Sequence, residues 1–201
     1  MTAIIDYKAG NIFSVKNALD FLGCESVVTS SPDILEKADR IILPGVGAFP
    51  SAMESLGSLG LIEPIEYYAK QKPFLGICLG MQLLFERSFE FGEHEGLDLI
   101  KGTVELIKPY EHGVYNVPHM GWNALGNNKN CALLREVDEG SYVYFVHSYA
   151  AVCEHENVAA YCEYGGKIPA VVAEKNIFGC QFHPEKSGEI GLKILKNFCE
   201  M

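Results

Sequence analysis

The sequence predicts an α/β fold: one domain with a central, mostly parallel sheet flanked by helices, and an antiparallel β extension. Three observations carry that prediction. Through the first half of the chain, short apolar runs alternate with helical patterns, as in a parallel sheet wrapped by helices. After about residue 100 the pattern turns into closely spaced β-like runs separated by Gly-containing turns. A helical pattern then closes the chain. A length of 201 residues with 48% hydrophobic content fits one domain, expected over residues 1–201, with ample material for a core.

In order, Ala3-Ile4-Ile5-Asp6 reads as a short buried strand. Asn11 stands where a cap would precede a helix from Ile12 to Leu22, with apolar positions Phe13, Ala18, Leu19 and Leu22, and Gly23 closes it. Ser26–Thr29 and Arg40–Leu43 read as further strands, the latter broken by Pro44-Gly45. A helix near Leu61–Lys70 leads to a strand at Pro73–Ile77, and a helix at Leu79–Glu86 follows. The β-like runs are Thr103–Ile107, Tyr142–Val146, Val158–Glu163, Ala170–Ala173 and Ile177–Gln181. Ser187–Phe198 reads as the closing helix.

Chemistry concentrates at Phe74-Leu75-Gly76-Ile77-Cys78-Leu79-Gly80-Met81-Gln82. An apolar run meets Gly, Cys and Gly, and a helical pattern begins. That is the pattern of a nucleophile elbow, in which a strained turn lifts one side chain into a cleft above a helix N-terminus. Free N–H groups at such an end favour negative charge. Near the other end of the chain, His183-Pro184-Glu185 follows a β-like run. Pro184 fixes its own φ and biases His183 toward an extended conformation. Cys78, His183 and Glu185 thereby supply a nucleophile, a base and a group to orient the base.

Composition excludes several classes. A net charge of −10 argues against nucleic acid as a partner, because phosphate binding needs clustered Lys and Arg. No apolar run reaches the length that spans a bilayer. Met1-Thr2-Ala3-Ile4-Ile5-Asp6 lacks the basic start of a secretory signal. The seven cysteines (Cys24, Cys78, Cys131, Cys153, Cys162, Cys180 and Cys199) are scattered, with no Cys-x-x-Cys pair. A reducing cytoplasm is expected, with no metal and no cofactor.

The elbow and the His-Pro-Glu segment resemble those of the triad-type (class I) glutamine amidotransferases. Further segments extend the likeness over essentially the whole chain: Asp6-Tyr7-Lys8-Ala9-Gly10-Asn11, Leu43-Pro44-Gly45-Val46-Gly47-Ala48-Phe49, and Tyr144-Phe145-Val146-His147-Ser148-Tyr149. Pro118-His119-Met120-Gly121-Trp122-Asn123 narrows it toward the glutaminase subunits of imidazole glycerol phosphate synthases. The resemblance implies a flavodoxin-like sheet and glutamine as substrate. It implies a cyclase partner subunit, a (β/α)8 barrel, in a heterodimer. Ammonia would pass through that barrel to a phosphorylated ribulosyl intermediate (PRFAR), giving imidazole glycerol phosphate and AICAR.

Residue by residue, the resemblance implies an oxyanion hole between the Leu79 N–H and the Val46–Gly47 strip. Gln82 and the backbone of His147, Ser148 and Tyr149 would hold glutamine's α-amino and α-carboxylate groups. His147 is not assigned to catalysis. Asn11, His119, Met120, Trp122 and Asn123 would face the cyclase, with Trp122, the only Trp, on a loop as an anchor. Lys8 departs from the family, which often has Gly there. Two alternatives stay open from the sequence. One is an amidotransferase subunit serving anthranilate, aminodeoxychorismate, purine or pyridoxal phosphate synthesis. The other is a non-catalytic thiol sensor on the same fold.

Overall fold

A computed structural model describes residues 1–108, 115–126 and 131–201. In chain order the strands are β1 (Thr2–Ile5), β2 (Ser26–Thr29), β3 (Arg40–Gly45), β4 (Phe74–Cys78), β5 (Phe85–Ser88), β6 (His94–Glu95) and β7 (Ile100–Leu106). They continue with β8 (His119–Ala124), β9 (Tyr142–His147), β10 (Tyr149–Val152), β11 (Val158–Glu163), β12 (Lys167–Glu174) and β13 (Ile177–Cys180). The helices are α1 (Ile12–Phe21), α2 (Pro32–Lys37), α3 (Phe49–Ser58), α4 (Ile62–Ala69), α5 (Leu79–Gln82) and α6 (Gly188–Cys199).

The central sheet has seven strands in the order β11-β12-β13-β4-β3-β1-β2. From β13 to β2 every neighbouring pair is parallel, while β11-β12 and β12-β13 are antiparallel. A mostly parallel sheet with an antiparallel edge is the arrangement the sequence predicts. Its strands are continuous apolar runs because both faces are covered. Alternate residues go to opposite sides. Ile4, Ile42 and Leu75 pack with Val15 and Leu19 of α1 and Ile194 and Phe198 of α6. Ala3, Ile5, Ile41 and Leu43 pack with Leu35 of α2, Phe49 and Leu56 of α3, and Ile65 of α4. Each fully buried side chain of this size contributes roughly 1.5–3 kcal/mol of transfer free energy. A four-stranded sheet (β10-β7-β5-β6) and a two-stranded one (β8-β9) lie outside the central sheet.

Four expectations need correction. The helix after the elbow ends at Gln82 rather than Glu86, and Phe85–Ser88 is β5, because the chain turns to pair with β7. Residues 119–124 form a strand rather than a loop, since β9 offers a full antiparallel ladder from His119↔His147 to Ala124↔Tyr142. Phe13 is exposed rather than core, because Val15, Ala18 and Leu19 form the buried stripe of α1. Asn11 does precede α1, but its side chain does not cap the helix; Asn11 Oδ1 accepts instead from Ser14 Oγ at 2.7 Å. Helices α2 and α3 go beyond the sequence reading. Each starts with a Pro in its first turn, Pro32 and Pro50, where a missing N–H costs nothing.

Candidate active site

In an open parallel sheet, ligands gather beyond the carboxyl ends of the strands. Strands β4 and β13 are parallel neighbours, with Ile77 opposite Cys180. Their ends therefore deliver Cys78 and the segment holding His183 to the same edge. Both side chains line one cleft of about 320 Å³.

Cys78 sits at the turn between β4 and α5 with φ 53° and ψ −110°, a conformation that L residues avoid. Close backbone packing holds it there. A Cβ at Gly80 would lie 1.8 Å from the Leu43 carbonyl oxygen, and one at Gly76 would lie 2.5 Å from the Gly80 carbonyl oxygen. Only glycine lets α5 press onto β3 and β4 this tightly. Because α5 is four residues long, its aid to a charged sulfur comes from local N–H groups rather than a long helix dipole. The Cys78 Sγ lies 3.8 Å from the Val146 carbonyl oxygen, and Gln181 Nε2 lies 3.9 Å from the sulfur.

His183 is held at its backbone from both sides. Its N–H donates to the Tyr144 carbonyl at 2.9 Å, and its carbonyl accepts from Ser187 Oγ at 2.6 Å. The ring Nδ1 meets Glu185 Oε1 at 2.8 Å, and both side chains are nearly closed to solvent. The opposite nitrogen, Nε2, is buried with no hydrogen-bond partner among the described residues. Burial by itself would push the imidazole pKa down. The Cys78 sulfur and the Glu185 carboxylate overcome that and raise it to about 9. An imidazole that keeps its proton past neutral pH is equipped to donate one to a leaving group.

The cleft wall also carries Val46 and Gly47 on one side and Leu79 beside the thiol. Gly47 has φ 104°, a conformation open to glycine and costly for other residues. Gln82, His147, Ser148 and Tyr149 line the cleft as well. The amide nitrogen of Gln82 donates to the Tyr149 carbonyl at 2.8 Å and to Gln181 Oε1 at 3.2 Å. Those two bonds use the amide nitrogen and leave Oε1 of Gln82 as its acceptor. Both ring nitrogens of His147 are spent on protein partners, His119 Nδ1 and the Tyr149 carbonyl.

The residues expected at a partner surface divide. Met120 and Trp122 are 61% and 55% exposed, on the outer face of β8. His119 is buried, because strand alternation turns 119, 121 and 123 inward. It therefore cannot present its side chain to a partner. Asn123 is half-buried and donates to the Glu163 carbonyl at 2.9 Å. Asn11 turns its amide toward Glu185 Oε1 at 3.5 Å.

Three residues near the cleft carry no assignment from the sequence. Gln181 links Gln82 to Cys78. Its position directly after β13 and two residues before His183 is the signal that points to it. Tyr7 buries its hydroxyl without a partner among the described residues, and its pKa is raised first by burial and then by the neighbouring Cys78 sulfur. Glu90 lines the cleft and accepts the Phe49 N–H at 2.7 Å. Among the described residues, no group of three or more His, Cys, Asp or Glu is arranged to hold a metal ion.

Comparisons with known proteins identify the family and the fold. Residues 3–201 match the family model "Glutamine amidotransferase class-I". The chain is 50% identical to "Imidazole glycerol phosphate synthase subunit HisH" of Bacillus thuringiensis (strain Al Hakam) and of Bacillus cereus (strain 03BB102), over 98% of this chain and 93% of each relative. Among solved structures, one titled as a glutamine amidotransferase superposes with a TM-score of 0.75 at 18% identity, covering 99% of both chains. The structure of PurLQS from Thermotoga maritima gives 0.71 at 21% identity, covering 99% of this chain and 97% of that one. These two carry the fold. The family match and the half-identical relatives carry membership: the chain belongs to the class-I glutamine amidotransferases, in the group of imidazole glycerol phosphate synthase HisH subunits.

Proposed function

We propose that this chain hydrolyses glutamine to glutamate and ammonia at Cys78, as the glutaminase subunit of an imidazole glycerol phosphate synthase in histidine biosynthesis. The meeting of Cys78 with the His183–Glu185 pair at one cleft is the observation that supports it most. The Cys78 thiolate attacks the carboxamide carbon. His183 holds the thiol proton and passes it to the departing ammonia. Glu185 keeps the Nδ1–H of the ring turned toward itself and stabilises the charged imidazole. Water then hydrolyses the γ-glutamyl thioester, with the imidazole taking up a proton.

The tetrahedral oxygen is held by the N–H of Leu79 and by the Val46–Gly47 strip across the cleft. Removing one such donor typically costs about 10²–10³ in rate. Gln82 and the backbone at Ser148 and Tyr149 hold the α-amino and α-carboxylate groups. The whole span 1–201 acts as one amidotransferase domain.

The partner is a cyclase subunit with a (β/α)8 barrel, forming a heterodimer that receives the ammonia and produces imidazole glycerol phosphate and AICAR from PRFAR. The exposed pair Met120 and Trp122 supports a docking face on β8, since aromatic and Met side chains are enriched at interface centres. A reducing cytoplasm suits seven scattered cysteines with no Cys-x-x-Cys pair.

The test is glutamine-dependent synthesis with candidate partners. Purified chain mixed with an imidazole glycerol phosphate cyclase is expected to release ammonia from glutamine faster than the chain alone. Stimulation by an anthranilate or purine synthase instead would redirect the pathway. Equal rates with and without the cyclase would contradict a functional partnership with it.

A further inference from the structure

On the reading of the cleft as a glutamine site, we propose that His119 and His147 are positioning residues. A one-way hydrogen-bond chain from Asn123 through both imidazoles to the Tyr149 carbonyl holds Gln82 in place for glutamine's α-groups.

The direction of the chain follows from its fixed end. A carbonyl oxygen only accepts. Tyr149 O accepts from Gln82 Nε2 at 2.8 Å and from His147 Nδ1 at 2.8 Å. His147 therefore carries its proton on Nδ1, and Nε2 of the neutral ring is an acceptor. The group facing it is His119 Nδ1 at 3.0 Å, which must be the donor. That leaves His119 Nε2 as an acceptor, and Asn123 Nδ2 faces it at 3.4 Å. The orientation of the Asn123 amide is fixed independently: its nitrogen donates to the Glu163 carbonyl, and its oxygen accepts the Ala124 N–H at 2.8 Å. Every link has one donor and one acceptor.

Packing leaves the rings no alternative. His119 and His147 are cross-strand partners on the inner side of β8 and β9. The His119 ring stacks on Phe145 and on Tyr164, with centroids 4.6 and 3.9 Å away. Burial holds both rings neutral, with His119 lowered to about 4 and His147 to about 3. For His147, the Tyr149 carbonyl opposes the shift, and the charges of His119 and His183 add to it. The far end of the chain reaches the chemistry, since Gln82 also bonds Gln181, whose amide nitrogen lies 3.9 Å from Cys78 Sγ. A purely structural pair would end in the core, whereas this one ends on a carbonyl oxygen shared with Gln82, a side chain that lines the cleft.

The experiment measures kcat and KM for glutamine hydrolysis in the complex with the cyclase. His119→Phe keeps a stacked ring and removes both ring nitrogens. KM is expected to rise about tenfold while kcat changes less than about threefold, the size of one lost buried hydrogen bond. His119→Asn restores an N–H close to the place of Nδ1, and is expected to bring KM back to within about threefold of the unaltered protein. A wild-type KM in His119→Phe overturns the relay, as does a variant in which only kcat falls, or an Asn variant no better than Phe.

A second measurement needs no variant. Long-range ¹H–¹⁵N correlation on the histidine-labelled chain at neutral pH is expected to show two neutral rings protonated on Nδ1. Free imidazole side chains favour the opposite tautomer. Nε2-protonated or charged rings at these two positions overturn the proposal. Cys78→Ala separates the two levels. Glutamine turnover retained in that variant sinks the glutamine-site reading itself, whereas an inactive Cys78→Ala beside an unaffected His119→Phe sinks the relay alone.

Discussion

His183 Nδ1 lies 2.8 Å from Glu185 Oε1, with 2% and 1% of the two side chains exposed. A buried carboxylate at that distance holds the ring by its Nδ1–H, so that Nε2 is the nitrogen left to exchange a proton at the cleft. Glu185→Gln keeps the shape and lets an amide NH₂ face Nδ1, which favours the opposite tautomer. Glutamine hydrolysis in the partner complex is expected to fall about 10²–10⁴-fold in kcat with KM little changed. A loss under about tenfold would remove Glu185 from its orienting role.

The same pair makes stability depend on pH. The His183 pKa is raised in the folded chain, against burial, by Cys78 and Glu185, to about 9 from an ordinary value of 6.5. Between those pH values the folded state holds a proton that the unfolded state has released. Its contribution is thus fully present below about pH 6.5 and is lost as pH climbs through about 9. The upper bound is about 3 kcal/mol. Urea midpoints for the unaltered chain should fall over that window, and Cys78→Ala should flatten the slope by removing one of the two partners that raise the His183 pKa. An equal slope in both would detach the effect from this site.

Gly80 makes a packing prediction. A Cβ there meets the Leu43 carbonyl at 1.8 Å, and backbone cannot give way as a flexible side chain can. Gly80→Ala is expected to cost about 3 kcal/mol or more. Gly57, inside α3, meets only Ile62 Cδ1 at 3.6 Å, so Gly57→Ala should stabilise by about 0.5–1 kcal/mol through helix propensity. Chemical denaturation of the two variants side by side reads the contrast. Similar midpoints would contradict the close approach of α5 to β3.

Much of this site was legible because its parts are local. The glycines around Cys78 and the proline after His183 announce their own turns. The parallel sheet shows in runs such as Ile41-Ile42-Leu43, which both faces bury. What the sequence did not reveal is long-range. β8 is a strand only because β9 pairs with it, so residues 119–123 read as a loop until the partner is in place. The His119–His147 contact spans 28 residues and has no local signature. The short α5 depends on β5 turning back to pair with β7, which no pattern around Gln82 encodes.

Lys8 shows the opposite case, a sequence oddity that the backbone explains. It departs from a position where the family often has Gly, and its φ is 65°. That left-handed conformation costs an L residue about 1–2 kcal/mol, of which glycine's greater freedom when unfolded returns about 0.5–1. Lys8→Gly is therefore expected to stabilise the chain by about 0.5–1 kcal/mol by urea denaturation, with kcat unchanged. Destabilisation would mean that the Lys8 side chain makes a contact worth more than the strain.

Trapping the covalent intermediate tests the account at its centre. Acid quenching of the partner complex during glutamine turnover, followed by peptide mass mapping, should find one γ-glutamyl group on the peptide that carries Cys78. Cys78→Ala should show neither adduct nor ammonia release. Ammonia release from that variant at the unaltered rate, or an adduct on another residue, would contradict it.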